Sequence, residues 1–315
     1  MMIKNEEKKK VCVVLPTKNE ESSIRDVIKG LRDAFKGTVF TDPVIFITDD
    51  SMDRTRAIAR EEGAVVINGG GKGLGYAMYQ GLKATLSYDP DYIISFDADG
   101  QCDPSEIPSF LAPIEADEAD MVLGSRFKQA DLVKYRYRFK NRMGIRILVR
   151  ILRALTGLPL TDSHGGIRAM RPEVVKELEM LGTHTYVQET IIDAVEKGFR
   201  IKEIQSVWEK REHGSSRVVS SIPTYIFYTL PILIIRSKGH IKWLYSSGII
   251  LVLAAIGYFL FISYQASFQF KTMFERLPSF LLIALLVLTG LQLFFFGFII
   301  ELIKEIKYRI DHLDR

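Results

Sequence analysis

Cysteine is scarce in this chain, with Cys12 and Cys102 the only two among 315 residues. Neither has a partner at the spacing of a zinc or redox motif, so a disulfide framework and a thiolate metal site are set aside and both are expected as reduced thiols. Tryptophan is equally sparse, with Trp208 and Trp243 far apart. No internal repeat or low-complexity tract occurs. An excess of charge of one sign is also missing: 42 Lys and Arg against 38 Asp and Glu leave a net +4. That balance is too weak and scattered to argue for a nucleic-acid partner, although it suits an anionic membrane surface. Met1 to Lys10 is polar and lysine-rich, with no apolar stretch before the first strand, so a secretory signal is not expected.

Long hydrophobic runs are present, and they are confined to the C-terminal third. Leu244 to Tyr264 and Leu277 to Ile300 contain no charged residue, and each supplies roughly the 20 apolar residues needed to cross a hydrocarbon core about 30 Å thick. A two-helix hairpin returns the C-terminus to the side on which it began. Arg236, Lys238 and Lys242 precede the first span and Lys304, Lys307 and Arg309 follow the second, against Lys271 and Arg276 between them, a modest bias that puts the globular part in the cytoplasm. Ile222 to Ile235 is apolar, but it is too short to span and is interrupted by Pro223 and Pro231, so it is expected in the interface plane. The organisation expected is a cytoplasmic domain at 1–220, an interfacial amphipathic helix at 221–240, a transmembrane hairpin at 241–303 and a cytoplasmic tail at 304–315.

The first hundred residues alternate short β-branched runs with helical periodicity, the pattern of βαβ units and an α/β fold with a mostly parallel, Rossmann-like sheet. Strands are expected at Val11 to Leu15, Val44 to Thr48, Ala64 to Ile67, Tyr92 to Phe96 and Met121 to Gly124. Helices are expected at about Glu21 to Phe35, Arg54 to Glu62 and Gly73 to Ser87. In such sheets ligands sit beyond the carboxyl ends of the strands. Those ends are Pro16 to Glu20, Asp49 to Asp53, Gly69 to Gly73 and Asp97 to Gln101.

Ser95-Phe96-Asp97-Ala98-Asp99-Gly100-Gln101 places two carboxylates one residue apart at a strand end. Asp-x-Asp is common in turns, where aspartates only cap the backbone. Hard oxygen ligands at that place also suit Mg²⁺ or Mn²⁺, which completes its shell with waters and substrate phosphates. A second acidic cluster, Asp49-Asp50-Ser51-Met52-Asp53, ends another strand and can accept from base or ribose hydroxyls, with Asp53 equally suited to cap a helix. The segment Lys134 to Arg153 reads as a strongly basic helix carrying Arg136, Arg138, Arg142, Arg146, Arg150 and Arg153. Such a helix calls for an anion or a membrane beside it, because guanidinium groups grip phosphate oxygens in pairs.

With these motifs in order, LPTKNEESSI, DDSMDRT, GKGLGYAMYQGLKA, FDADGQ, GSRF, DSHGGIRAMR, QETIIDAVEKGFRIKEI and REHGSSR, residues 10 to 220 resemble the family 2 glycosyltransferases of GT-A fold. Within them the chain resembles the dolichol-phosphate mannose and glucose synthases. The resemblance implies that Pro16, Thr17 and Glu20 line the nucleotide pocket and that Asp49 contacts the nucleotide. It implies a metal and diphosphate site at Asp97, Asp99 and Gln101, with Asp99 foremost. Arg126 and Arg138 match arginines near the transferred group and the acceptor phosphate, and Arg211 and Arg217 match basic positions that close over the donor diphosphate. Two departures stand out: Gly165-Gly166-Ile167 replaces the usual Ser-Gly-Phe, and Lys18 replaces a residue that is often aromatic.

The reaction so implied moves a sugar from a nucleotide-sugar to polyprenyl or dolichyl phosphate, with inversion at the anomeric carbon. The acceptor phosphate has a second pKa near 6 and arrives largely as an anion, so no catalytic base is required, and Glu189 of the QET motif is read as an orienting or structural carboxylate. Mannose from GDP-mannose is the first expectation for the donor, followed by glucose or N-acetylglucosamine from UDP. A hydroxyl-directed family 2 transferase making glycolipid or polysaccharide is the competing enzyme class, and it would call for a base and usually for paired tryptophans. A non-catalytic membrane scaffold is the other competitor, against which Asp97 and Asp99 argue. Homo-oligomer formation stays open.

Overall fold

A computed structural model describes residues 8–129, 139–209, 228–233, 236, 240–265 and 277–313. The chain divides into two compact units, Met1–Arg236 and Ser237–Arg315.

In the first unit a seven-stranded sheet is built from β1 (Val11–Thr17), β2 (Val44–Asp49), β3 (Val65–Asn68), β4 (Tyr92–Ser95), β5 (Met121–Ser125), β6 (Arg168–Met170) and β7 (Ile201–Gln205), in the order β3-β2-β1-β4-β6-β5-β7. All neighbours are parallel except β6, which runs antiparallel to both β4 and β5. The sheet is therefore mixed and mostly parallel, with one short reversed strand.

Side chains alternate along each strand, and both faces are covered. Val11, Val13 and Leu15 of β1 pack with Ile45, Ile47 and Ile94 under helices α1 (Ile24–Phe35), α2 (Thr55–Glu61) and α4 (Ile107–Glu115). Cys12, Val14, Phe46 and Ile93 point the other way and meet α3 (Leu74–Thr85), α5 (Phe139–Thr156), α6 (Pro172–Glu177) and α7 (Val187–Glu196). Strand runs such as VCVVL are apolar at every position because neither face meets water. Burial pushes the Cys12 thiol up to about 11, and both cysteines are free and buried, as reduced thiols should be.

The second unit consists of α8 (His240–Gln265) and α9 (Leu277–Leu313). Both are long and apolar enough to cross a membrane, and only 22% and 11% of their most apolar windows are buried. Leu253, Leu260, Leu281, Leu285 and Phe296 are among the exposed apolar side chains. The two helices meet backbone to backbone: a Cβ on Gly248 would lie 2.6 Å from the Gly290 carbonyl oxygen, and one on Gly290 2.8 Å from that of Gly248. Small residues at such a crossing are how apolar helices approach closely where no hydrophobic effect drives them together. Tyr245 Oη donates to Glu301 Oε2 at 2.8 Å, and Tyr258 and Ser279 hydroxyls pair at 3.2 Å.

Candidate active site

The parallel register of β1, β2 and β4 brings their carboxyl ends to one edge of the sheet, with Thr17 opposite Asp49 and Val14 opposite Ser95. Thr17 and Asp49 are buried, and Thr17 Oγ1 donates to Asp49 Oδ1 at 2.8 Å while Arg56 Nε donates to Asp49 Oδ2 at 3.0 Å. Asp49 is thus a fully enclosed carboxylate with a fixed orientation. The loop after β1 is stitched to the loop after β2: Asn19 N–H donates to Ser51 Oγ at 2.7 Å, Met52 N–H to Asn19 Oδ1 at 2.8 Å, and Glu20 N–H to Thr55 Oγ1 at 2.9 Å. Pro16 and Glu20 are half-buried beside them. Asp53 does cap the start of α2, accepting from Thr55 N–H at 3.0 Å. Desolvation opposes its charge, yet the hydrogen bonds from Thr55 and Glu21 hold its carboxyl below the usual range. Asp50 reaches sideways and accepts from Gly71 N–H at 2.9 Å, tying the β3 end to the same rim.

At the end of β4, Asp97 and Asp99 are half-buried, and the chain turns through Gly100 at φ +73°. Asp99 Oδ1 accepts from Gln101 N–H at 3.1 Å. Gln101 is latched to the strand that leaves β7: its Nε2 donates to the Glu209 carbonyl at 3.1 Å and its own carbonyl accepts from Glu209 N–H at 2.8 Å. The Asp97 carboxylate is packed against Gly166, where a Cβ would lie 2.3 Å from Asp97 Oδ2 and 3.0 Å from Trp208. A Cβ on Gly165 would lie 1.8 Å from the Gly124 carbonyl oxygen. The two glycines at the departure from Ser-Gly-Phe are thus required by close approach, and no side chain fits at Gly165.

Arg126, at the end of β5, is buried and gives Asp162 a two-pronged pair, Nε to Oδ2 at 2.6 Å and Nη2 to Oδ1 at 2.8 Å. Its guanidinium lies 4.4 Å above the Trp208 ring. Arg126 is thus held rigidly by its neighbours. The Asp162 carboxyl is desolvated, and Arg126 holds it below the usual range. Glu203 of β7 clamps the same loop, accepting from Thr161 N–H at 2.9 Å, Thr161 Oγ1 at 2.6 Å and Asp162 N–H at 3.0 Å. Arg168 of β6 is buried beside Tyr186; burial lowers its pKa, opposed by Tyr186 and by the charge of Asp97.

Glu189 is buried and already fully employed. It accepts from Leu181 N–H at 2.6 Å and Gly182 N–H at 2.9 Å and pairs with Arg236 at 3.2 Å. The basic helix is α5: Arg142, Arg146, Arg150 and Arg153 share one wall of a groove of about 530 Å³ with Phe127, Ile145, Val149 and Thr161. Arg138, Arg211 and Arg217 lie outside the described residues, as does most of the interfacial helix expected at 221–240.

The donor set at the β4 end fits a hard divalent cation. Among the described residues no three His, Cys, Asp or Glu side chains form a closed metal cage; the carboxylates of Asp97 and Asp99 and the carboxamide oxygen of Gln101 are hard oxygen donors of the kind Mg²⁺ takes. Buried Cys102 reports the same field: burial first, then the charges of Asp97, Asp99 and Glu106, push its thiol well up.

The DSHGGIRAMR motif by itself marks no role for Asp162, Gly166 or Arg168, and nothing in the sequence points to Glu203 or to the place of Trp208. The one readable signal is the double glycine, which marks close backbone approach. A Rossmann-like, mostly parallel sheet with paired carboxylates at its carboxyl edge is the architecture of the GT-A fold. The sequence profile described as Glycosyl transferase family 2 matches residues 12–179, more than half of the chain, and the protein belongs to that family. A UDP-N-acetylglucosamine–dolichyl-phosphate N-acetylglucosaminyltransferase of Methanococcus voltae is 28% identical over 70% of this chain and 95% of its own. A dolichyl-phosphate hexose transferase of Haloferax volcanii is 29% identical over 64% of this chain and 83% of its own. Glucosyl-3-phosphoglycerate synthase of Mycobacterium tuberculosis, solved with Mn²⁺, UDP-glucose and phosphoglyceric acid, shares the fold at a TM-score of 0.56, with 20% identity over 73% of this chain and 80% of its own.

Proposed function

We propose that this protein transfers a hexose from a nucleotide-sugar to a polyprenyl or dolichyl phosphate at the cytoplasmic face of a membrane. The observation that carries the reading is the pair of half-buried carboxylates Asp97 and Asp99 at the sheet edge, in a chain that also carries two helices of membrane-spanning length. Relatives whose names state a dolichyl-phosphate acceptor support the acceptor class.

In this reading Pro16 and Glu20 line the nucleoside pocket, the buried Thr17–Asp49 pair with Arg56 holds the ends of β1 and β2 in place behind it, and Asp97, Asp99 and Gln101 hold Mg²⁺ or Mn²⁺. The cation, when bound, neutralises charge building on the departing diphosphate. Asp162 and Glu203 keep Arg126 immobile at the β5 end, so that its field is set in place before substrate arrives. Arg138 orients the acceptor phosphate, and Arg211 and Arg217 close over the donor diphosphate, as the family resemblance implies. The acceptor oxygen is already an anion at neutral pH, because a phosphate monoester has a second pKa of about 6. Glu189, whose oxygens are committed to backbone N–H groups and Arg236, is not needed as a base. The C-terminal hairpin anchors the chain in the membrane, where the acceptor lipid resides.

Mannose from GDP-mannose is the first donor to test. UDP-N-acetylglucosamine is the second, on the strength of the Methanococcus voltae relative. The test is transfer of labelled sugar from a panel of nucleotide-sugars to polyprenyl phosphate in detergent with Mg²⁺ or Mn²⁺, for the wild-type protein and Asp99→Ala. A lipid-phosphate product lost by at least about 100-fold in the variant supports the reading. A polymer, a sugar on a lipid hydroxyl, or full-rate transfer after chelation of divalent ions overturns it.

A further inference from the structure

The β3–α3 loop, on the donor side of the proposed site, leans on a loop far from it in sequence. Gly75 and Tyr76 N–H groups both donate to the Thr183 carbonyl, at 2.8 and 3.3 Å. Gly73 sits at φ +113°, and a Cβ there would lie 2.6 Å from that same oxygen. The 179–184 loop is in turn hung from two carboxylates of α7. Glu189 accepts from Leu181 and Gly182, and Asp193 accepts from Glu179 N–H at 2.9 Å.

Both carboxylates are about fully buried, and both pair with Arg236, whose side chain is itself only 8% exposed. Arg236 also donates to the Glu179 carbonyl. Around this ion cluster the 228–236 segment makes further contacts with the same loop. Tyr228 stacks on His184 at 4.9 Å and 22°, and Ile232 presses on Gly182, where a Cβ would lie 2.3 Å from Cδ1. Arg236 stands four residues before the first residue of α8, His240.

The geometry points to Arg236 as a positioning residue: by neutralising Glu189, and sharing Asp193 with Lys197, it fixes the 179–184 loop, and through the Thr183 carbonyl it sets the shape of the β3–α3 glycine loop, which is tied to Asp50 on the rim of the proposed donor site. The segment leading into the membrane helix thereby governs donor affinity. Removing the guanidinium would leave buried Glu189 without its counter-charge, while Asp193 keeps Lys197 at 3.2 Å, an unfavourable state that the loop relieves by opening to water. The donor-affinity part rests on the proposed function; the structural part does not.

The test uses the full chain in detergent or nanodiscs, with wild type, Arg236→Met, Arg236→Lys and Tyr228→Ala. Hydrogen exchange at the Gly75 and Tyr76 amides is read without any ligand. Expected is exchange about 10-fold faster in Arg236→Met, a smaller increase in Tyr228→Ala, and near wild-type rates in Arg236→Lys, with β1 and β2 amides unchanged. For the nucleotide-sugar that wild type uses, KM should rise about 10-fold in Arg236→Met while kcat moves less than about threefold. Wild-type exchange at both amides, or equal acceleration in β1 and β2 for Arg236→Met and Tyr228→Ala alike, overturns the inference. Should wild type transfer no sugar at all, the functional reading falls, while the exchange result still decides whether Arg236 holds the loop.

Discussion

At the scale of single residues, the site depends on room as much as on charge. Gly166 leaves space that Asp97 occupies, with a hypothetical Cβ only 2.3 Å from Oδ2. Gly166→Ala is therefore expected to lower the transfer rate by about 100-fold, because a catalytic group displaced by about 1 Å loses that much. Overpacking this buried position should also cost about 1–3 kcal/mol of stability, and transfer assays run beside thermal melts separate the two effects. His164 offers a second residue-level test. Its imidazole is pushed down to about 4, chiefly by burial and then by the Arg126 charge, with Nδ1 2.7 Å from Ser163 Oγ. Between pH 6.5 and 4 the unfolded chain takes up a proton that the folded chain refuses, so folding stability contributed at this position falls as pH falls through that window. Thermal melts at pH 7.5, 6 and 5 should show wild type losing more than His164→Gln. Parallel loss in both would rule His164 out as the cause.

At the scale of elements, the sheet edge is braced by links that run between strands. Asp162 ties its loop to β5 through Arg126, and Glu203 ties that loop to β7. Deleting one partner of a buried pair leaves the other charged and unsolvated, so Asp162→Ala should destabilise the catalytic unit by about 3–5 kcal/mol. A melt in detergent, compared with Asp117→Ala on the exposed pair to Arg200, separates this from generic charge loss. The strands β1 to β5 were legible in the sequence to within about two residues, since apolar runs such as VVLP and YIIS carry their own signature. The strand β6 was not, because Arg168 within it reads as a surface charge, yet that side chain is buried against Tyr186. Nor was β7, where charged Lys202 and Glu203 stand inside a five-residue strand. The carboxylates of the site were readable because both chemistry and position mark them. Their supports, Asp162, Glu203 and Gly166, became visible only once the chain was folded, since their partners lie 36 to 69 residues away.

At the scale of the whole molecule, a catalytic unit ending at Arg236 is followed by two apolar helices. An alkaline carbonate wash should leave the full chain in the membrane pellet. Protease added to sealed vesicles with the cytoplasmic face outward should digest the first unit and spare the α8–α9 pair; digestion only after detergent would reverse the proposed orientation. Splaying the hairpin with Gly290→Leu should weaken the α8–α9 contact, seen as faster cleavage between the helices by protease added in detergent.

The length of α9 sets a limit of its own. Its 37 residues extend roughly 55 Å at 1.5 Å per residue, nearly twice the thickness of an oily bilayer interior of about 30 Å. The apolar window closes at Ile303, so ten further residues, through Leu313, continue as helix beyond it. Just before that exit, Tyr245 of α8 reaches Glu301 of α9. In the proposed membrane-anchored arrangement, an aromatic hydroxyl bonded to a carboxylate suits a water boundary, which would set the waterline of the hairpin at this pair and leave the last turns of α9 beyond it.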